Sequence, residues 1–361
     1  TIEMFDADLE TNLSKVSQQL ADGSYCPQAV RRQWIAKPGS SEKRPLGIPT
    51  VRDRVVETAL RNVMEPIFER DFAEHSYGFR PGRGCKEALR RVDRLLKAGS
   101  TWVVDADLQS YFDTIPHDQL RGLVAKKVAD SRVLELVAAM LQQGVMDGLK
   151  YWTPEAGTPQ GAVISPLLSN IYLDPLDHEV AASGYEMVRY ADDFVILCGS
   201  EAEARVALAK VQRWTASAGL RLHPEKTRIV AATQRGGFDF LGYHFERGYR
   251  WPRRKSVAKL KATIRNKTRR THGHSLRIII TTVNQTLTGW LGYFKHSHKT
   301  AFPPLDKWIR MRLRTILRHR LKRKGRARGT DNVRWPNAFF AAQGLFSLSA
   351  ARAQYGQSSR R

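Results

Sequence analysis

Met187-Val188-Arg189-Tyr190-Ala191-Asp192-Asp193-Phe194-Val195-Ile196-Leu197 is the stretch on which the reading of this chain turns. Two apolar, β-prone runs flank a polar centre, which predicts two short strands and a tight turn lifting adjacent carboxylates to a hairpin tip. Neighbouring Asp residues in a turn are unremarkable alone, because Asp suits turns. A second carboxylate in a similar setting adds weight. Asp107 closes the β-prone run Trp102-Val103-Val104-Asp105-Ala106-Asp107, 85 residues before Asp192. Carboxylates at the ends of two such segments, in a strongly basic protein, are what two-metal phosphoryl transfer needs.

Charge is segregated along the chain. The net charge is +24 over 361 residues. Residues 241–361 hold 29 Lys and Arg against 3 acids, Glu246, Asp306 and Asp331, whereas residues 1–240 hold 30 basic and 32 acidic side chains. That split predicts a catalytic body joined to a module that grips a polyanion. An apolar content of 42% argues for a folded protein, and the length allows about two or three domains. Cys26, Cys85 and Cys198 form no CxxC pair, which points away from a disulfide framework and from a cysteine zinc site and fits a reducing, cytoplasmic setting. No apolar run reaches about 18 residues, so no membrane span is expected. Thr1 reads as a processed or trimmed start, without a signal segment.

The remaining text predicts an α+β plan with hairpin-linked strands, not a doubly wound parallel sheet. A helix over residues 5–20 precedes strands at 30–35 and 44–50 and a helix over 51–72. Ser76-Tyr77-Gly78-Phe79-Arg80-Pro81-Gly82-Arg83-Gly84 is either a ligand-facing loop, with Arg80 and Arg83 on phosphate, or a tight turn with solvated arginines. Asp105 and Asp107 share one strand face, and Asp107 is the expected ligand at the open end. Asp113 is expected to cap the turn before Pro116. One helix is expected over 117–141. Ser165 and Pro166 read as an N-cap and N1 pair. A boundary near Gly248 to Pro252 leads into basic helices over 256–268, over 277–295 with a break at Gly289, and over 305–322. In the last, Leu305, Trp308, Ile309, Leu313, Ile316 and Leu317 form an apolar stripe. Lys307, Arg310, Arg312, Arg314, Arg318 and Arg320 then fall on its nucleic-acid-facing side, and Lys322, Arg323 and Lys324 follow in an exposed loop. The paired histidines His272/His274 and His296/His298 lack partners at ligand spacing and read as surface or RNA-facing residues.

RYADDF (189–194) resembles the active-site motif of reverse transcriptases. RPLGIPTVRDR (44–54), SYGFRPGRG (76–84), VVDADLQSYFDTIPH (103–117), GTPQGAVISPLLSNIYL (157–173), GLRLHPEKTRI (219–229) and FDFLGYHF (238–245) resemble the successive blocks of group II intron-encoded reverse transcriptases. GWLGYFKHS (289–297), LDKWIRMRLRTILRHR (305–320) and RWPNAFFAAQGLFSL (334–348) look like the maturase thumb. The resemblance implies a right-hand polymerase fold, with fingers over 1–100, a palm over 101–248 and an α-helical basic thumb over 249–361. It implies an RNA-directed DNA polymerase that assists group II intron splicing and retrohoming. Asp107, Asp192 and Asp193 match the family's catalytic, metal-holding aspartates, which take two Mg²⁺ ions with Mn²⁺ as a substitute. Phe112 matches the aromatic residue that rejects a ribose 2′-hydroxyl. Lys37 and Arg44 match fingers residues that reach the triphosphate, Gln160 the residue beside the nascent pair, and Lys226 a palm residue near the triphosphate.

The implied partners are intron RNA, an RNA template with DNA primer, dNTPs and target DNA, with neither a membrane nor an obligate protein partner. The family's amino-terminal template-clamping block is expected to be missing or trimmed before Thr1, and its HNH endonuclease has no counterpart up to Arg361. Lacking the nuclease, the enzyme is expected to find its primer at a nick, single-stranded DNA or a replication fork. The alternatives are a splicing maturase that does not polymerise and a domesticated reverse transcriptase serving defence or repair.

Overall fold

A computed structural model describes residues 1–36 and 43–358; Lys37 lies outside the described residues. The chain divides into two compact units, Thr1–Leu241 and Gly242–Arg361.

The first unit contains eight strands that concern the site. They are β1 (Val30–Ala36), β2 (Lys43–Ile48), β3 (Trp102–Asp107), β4 (Val145–Asp147), β5 (Lys150–Trp152), β6 (Glu186–Tyr190), β7 (Asp193–Cys198) and β8 (Arg228–Ala231). The central sheet runs β6-β7-β3-β8, with its neighbours antiparallel. Its β-branched residues make it: Val103, Val104, Val195 and Ile196 are fully buried, and each such side chain contributes about 1.5–3 kcal/mol. Strand parity then sorts the two faces. Val104 and Ala106, opposite Ile196 and Phe194, face the Ser165–Ala182 and Glu201–Ser217 helices and share their core. Asp105 and Asp107 ride the other face together, as their spacing predicts.

A second sheet runs β2-β1-β4-β5. β1 pairs antiparallel with β2 and parallel with β4, and the Gly47 amide donates to the Gln160 carbonyl at 2.8 Å, which ties β2 to the 157–161 segment.

Several boundaries differ from expectation. The helix expected over 117–141 is two, His117–Ala125 and Ser131–Leu141. Asp130 is the reason: its Oδ1 accepts from the amides of Arg132 (2.9 Å) and Val133 (3.3 Å) and so starts a new helix. Ser165 is not an N-cap. Ile164 holds that position, and the Ser165 hydroxyl turns back to the Pro159 carbonyl at 2.9 Å.

In the second unit, Leu276–Phe294 is one unbroken helix through Gly289, because Val283, Leu287 and Leu291 bury one stripe on both sides of the glycine. That burial outweighs the roughly 1 kcal/mol that glycine costs in a helix. This unit begins at Gly242, earlier than the expected boundary, because Tyr243–Glu246 pairs antiparallel with Tyr249–Pro252 and Tyr243 packs on Phe294 at 5.0 Å. The Arg254–Lys267, Leu276–Phe294 and Pro303–Arg320 helices enclose a core that includes Ile264, Leu287, Leu313 and Phe340.

Candidate active site

The hairpin of β6 and β7 turns at Ala191 and Asp192. Asp107 and Asp193 are direct register partners on β3 and β7, so two carboxylate-bearing residues sit side by side at the sheet's end, with Asp192 next along the chain. Ala191 adopts a left-handed φ of 59°, a conformation that costs an L-residue roughly 1–2 kcal/mol. The surroundings enforce it. Gly78 lies against the turn so closely that a Cβ there would stand 2.2 Å from the Ala191 nitrogen. Arg189 donates to the Ala191 carbonyl at 2.9 Å.

The electrostatics are those of clustered carboxylates. Asp192 has its proton affinity raised, first by burial and then by the charge of Asp107, while Arg44 and Arg189 pull the other way. Lys226 Nζ lies 2.7 Å from Asp107 Oδ2. The backbone brings it there: the His223 amide donates to the Asp107 carbonyl at 2.7 Å, and the Lys226 amide to the His223 carbonyl at 3.2 Å. Asp105 is committed elsewhere, 3.2 Å from Arg228, and burial pushes its carboxyl up to about 6. Asp113 falls in the first turn of the short Tyr111–Thr114 helix.

Phe112 sits in that same short helix, its ring edge-on to Tyr111 at 5.4 Å. Its carbonyl accepts from the Thr158 amide at 2.6 Å, and a Cβ on Gly157 would come within 2.7 Å of that carbonyl, so this approach requires glycine. Phe112 and Gln160 thereby line one cavity of about 280 Å³, together with Arg32 and Thr158. The structure thus gathers Asp107, Asp192, Asp193 and Lys226 at the hairpin, sets Arg44 within electrostatic reach of Asp192, and places Phe112 and Gln160 on one cavity.

Other expected contacts are redirected. Arg80 is only 6% exposed. It pairs with Glu69 at 2.8 Å and donates to the Ser76 carbonyl at 2.8 Å, so it braces its own loop and does not face nucleic acid. Arg83 donates to the Glu74 carbonyl. Arg314 and Arg318 are also buried. Arg314 donates to the Trp335 carbonyl at 2.8 Å and Arg318 to Asp331 Oδ2 at 3.0 Å, because the inner side of their helix meets the 329–342 segment. Arg310 is half-buried, whereas Lys322, Arg323 and Lys324 are exposed. His272 and His274 contact each other edge-on at 5.6 Å.

Periodicity missed Arg189, Asp177 and Asn170. Arg189 pairs with Asp177 at 2.5 Å and donates to Asn170 Oδ1 at 3.0 Å. A lone arginine inside an otherwise buried strand was the available signal.

Among the described residues, no three His, Cys, Asp or Glu side chains converge into a ready cage for an ion. The donor set still fits hard divalent cations, which keep part of their water and take further oxygens from substrate phosphates. Asp107 and Asp193 are neighbours across the sheet, and the charge of Asp107 already disfavours ionisation of Asp192.

The family described as reverse transcriptase (RNA-dependent DNA polymerase) matches residues 35–245, and the group II intron maturase-specific domain matches residues 257–335. The group II intron-encoded protein LtrA of Lactococcus lactis subsp. cremoris is 42% identical over 172 residues, covering 48% of this chain and 28% of LtrA. Protein YkfC of Escherichia coli (strain K12) is 36% identical over 283 residues, covering 68% of this chain and 74% of YkfC. A putative COX1/OXI3 intron 1 protein of Saccharomyces cerevisiae is 27% identical over 377 residues, covering 88% of this chain and 44% of that protein. The chain therefore spans little more than a quarter of LtrA.

Proposed function

Because this chain belongs to the reverse transcriptase (RNA-dependent DNA polymerase) family and carries the group II intron maturase-specific domain, we propose that it copies RNA into DNA and assists splicing and mobility of a group II intron. The observation that carries this reading is the register pair Asp107 and Asp193, with Asp192 at the adjoining turn. In this reading residues 1–100 act as fingers, the central sheet as palm and the basic second unit as thumb.

Asp107, Asp192 and Asp193 would hold two Mg²⁺ ions, or Mn²⁺ in their place, which would supply Lewis acidity toward the primer 3′-hydroxyl and the leaving pyrophosphate. Lys226 exchanges its contact with Asp107 for the triphosphate, and Arg44 approaches the triphosphate from β2. Phe112 closes the sugar pocket against a 2′-hydroxyl. Gln160 stands beside the nascent pair. Intron RNA, RNA template with DNA primer, dNTPs and target DNA are the proposed partners, with the exposed Lys322, Arg323 and Lys324 on phosphates. No described helix is long and apolar enough to cross a membrane, and the proposed place of action is the cytoplasm.

The test is DNA-primer extension on an RNA template, run beside a splicing assay on a group II intron RNA. Extension and accelerated splicing are expected. Accelerated splicing with no extension by protein that binds the primed template would replace this reading with that of a splicing factor.

A further inference from the structure

Arg189 is the largest fully buried side chain among the described residues. Burying a guanidinium is costly, and an apolar residue would fill the same space at lower cost. Its contacts indicate what it does there. Its Nε donates to both Asp177 oxygens, at 2.8 and 3.0 Å, and its two terminal nitrogens reach Asp177 Oδ2, Asn170 Oδ1 and the Ala191 carbonyl. Asn170 completes the link by donating to the Gly78 carbonyl at 2.8 Å. Along the backbone, the Arg189 amide donates to the His75 carbonyl at 3.0 Å and the Tyr77 amide to the Arg189 carbonyl at 2.9 Å. The guanidinium thus ties the Ser165–Ala182 helix to the hairpin turn, while the Arg189 backbone and Asn170 hold the 75–78 loop against both.

We propose that Arg189, held by Asp177 and Asn170, is a positioning residue for Asp192. By binding the Ala191 carbonyl it fixes the left-handed turn that sets where the Asp192 carboxylate stands relative to Asp107. An apolar residue could fill the space but could not reach that carbonyl. Lysine could keep the charge beside Asp177 but has no planar fork to span Asp177, Asn170 and Ala191 together. The inference rests on the polymerase reading of the same site.

The test compares wild type with Arg189→Lys and Asn170→Ala. The second variant leaves the Arg189–Asp177 pair in place, so it separates positioning from folding. Two readouts are taken on protein bound to an RNA template and DNA primer. Mn²⁺ affinity is measured by electron paramagnetic resonance, and kcat and KM for dNTP come from primer extension. Both variants should bind the primed template as wild type does and keep KM within about twofold, while kcat falls by about ten- to a hundredfold, as expected for a small misplacement of a reacting group. Mn²⁺ should bind more weakly in both. Unchanged Mn²⁺ affinity and kcat in folded Asn170→Ala overturn the proposal. Weaker Mn²⁺ binding in a protein whose wild type extends no primer sinks the polymerase reading but leaves the positioning role standing.

Discussion

Lys226 Nζ stands 2.7 Å from Asp107 Oδ2 although the two residues are 119 positions apart. Both side chains are more than a third exposed, at 59% and 37%. An ion pair of that kind is worth only about 0.2–1 kcal/mol. A contact so weak is readily exchanged, as the role proposed for Lys226 at the triphosphate requires. Lys226→Ala should raise KM for dNTP by about tenfold or more, the loss of one charge-assisted contact. It should also bind Mn²⁺ no worse than wild type when dNTP is absent. Steady-state primer extension and a Mn²⁺ titration check both halves.

Gly78 and Gly82 lie four residues apart and predict opposite outcomes. A Cβ on Gly78 meets the Ala191 backbone nitrogen, whereas one on Gly82 meets nothing within 4 Å and faces only the strain of its φ of 67°. Gly78→Ala should therefore displace the turn at Ala191 and Asp192, cost about 1–3 kcal/mol of stability as overpacking does, and abolish most extension. Gly82→Ala should cost about 1–2 kcal/mol from its left-handed backbone and leave extension close to wild type. Urea midpoints alongside extension rates separate the two.

Glu57 makes stability depend on pH. It is 1% exposed, accepts from the Val163 amide, and burial pushes its carboxyl from 4.5 up to about 7. The folded state therefore holds this proton to higher pH than the unfolded chain does. Its contribution is full below the unfolded value and is lost as pH rises through the folded one. Glu57→Gln should flatten that dependence and stabilise the protein above neutral pH by on the order of 2–3 kcal/mol. Urea unfolding of both proteins on either side of neutrality measures it, and parallel pH curves would contradict the assignment.

Arg314 and Lys324 should part company in the second unit. Arg314→Ala removes the bonds to the Trp335 carbonyl and Asn337 Oδ1, so it should lower thermal stability, with about 1–3 kcal/mol for the groups left unsatisfied. Lys324→Ala, on the exposed loop, should leave stability alone and reduce the salt slope of RNA binding by about 1. A salt titration together with a melting curve distinguishes them.

These contrasts mark where the sequence was legible. Asp107, Asp192 and Asp193 could be placed because alternation and turn chemistry are local, and the strand parity that sets Asp105 beside Asp107 is a geometric certainty once the strand forms. Helix breaks were harder: Asp130 restarts a helix through its own side chain, while Gly289 fails to interrupt one because tertiary burial spans it. Arginines were hardest. Arg80, Arg314 and Arg318 resemble phosphate-binding residues in a basic text, but their acceptors, Glu69, the Trp335 carbonyl and Asp331, are 11, 21 and 13 residues away. Only the fold brings those acceptors within reach. For the same reason Asn170 and Asp177 were not visible as partners of Arg189.

The most direct test of the central claim is single-turnover DNA synthesis on an RNA template with Mg²⁺, comparing wild type, Asp107→Ala, Asp192→Ala and Asp105→Asn. Synthesis should vanish in the first two variants while both still bind the primed template. It should persist in Asp105→Asn, because the Asp105 carboxyl is held by Arg228. Wild-type synthesis by either Asp107→Ala or Asp192→Ala would contradict the assignment of that carboxylate to the proposed catalytic set.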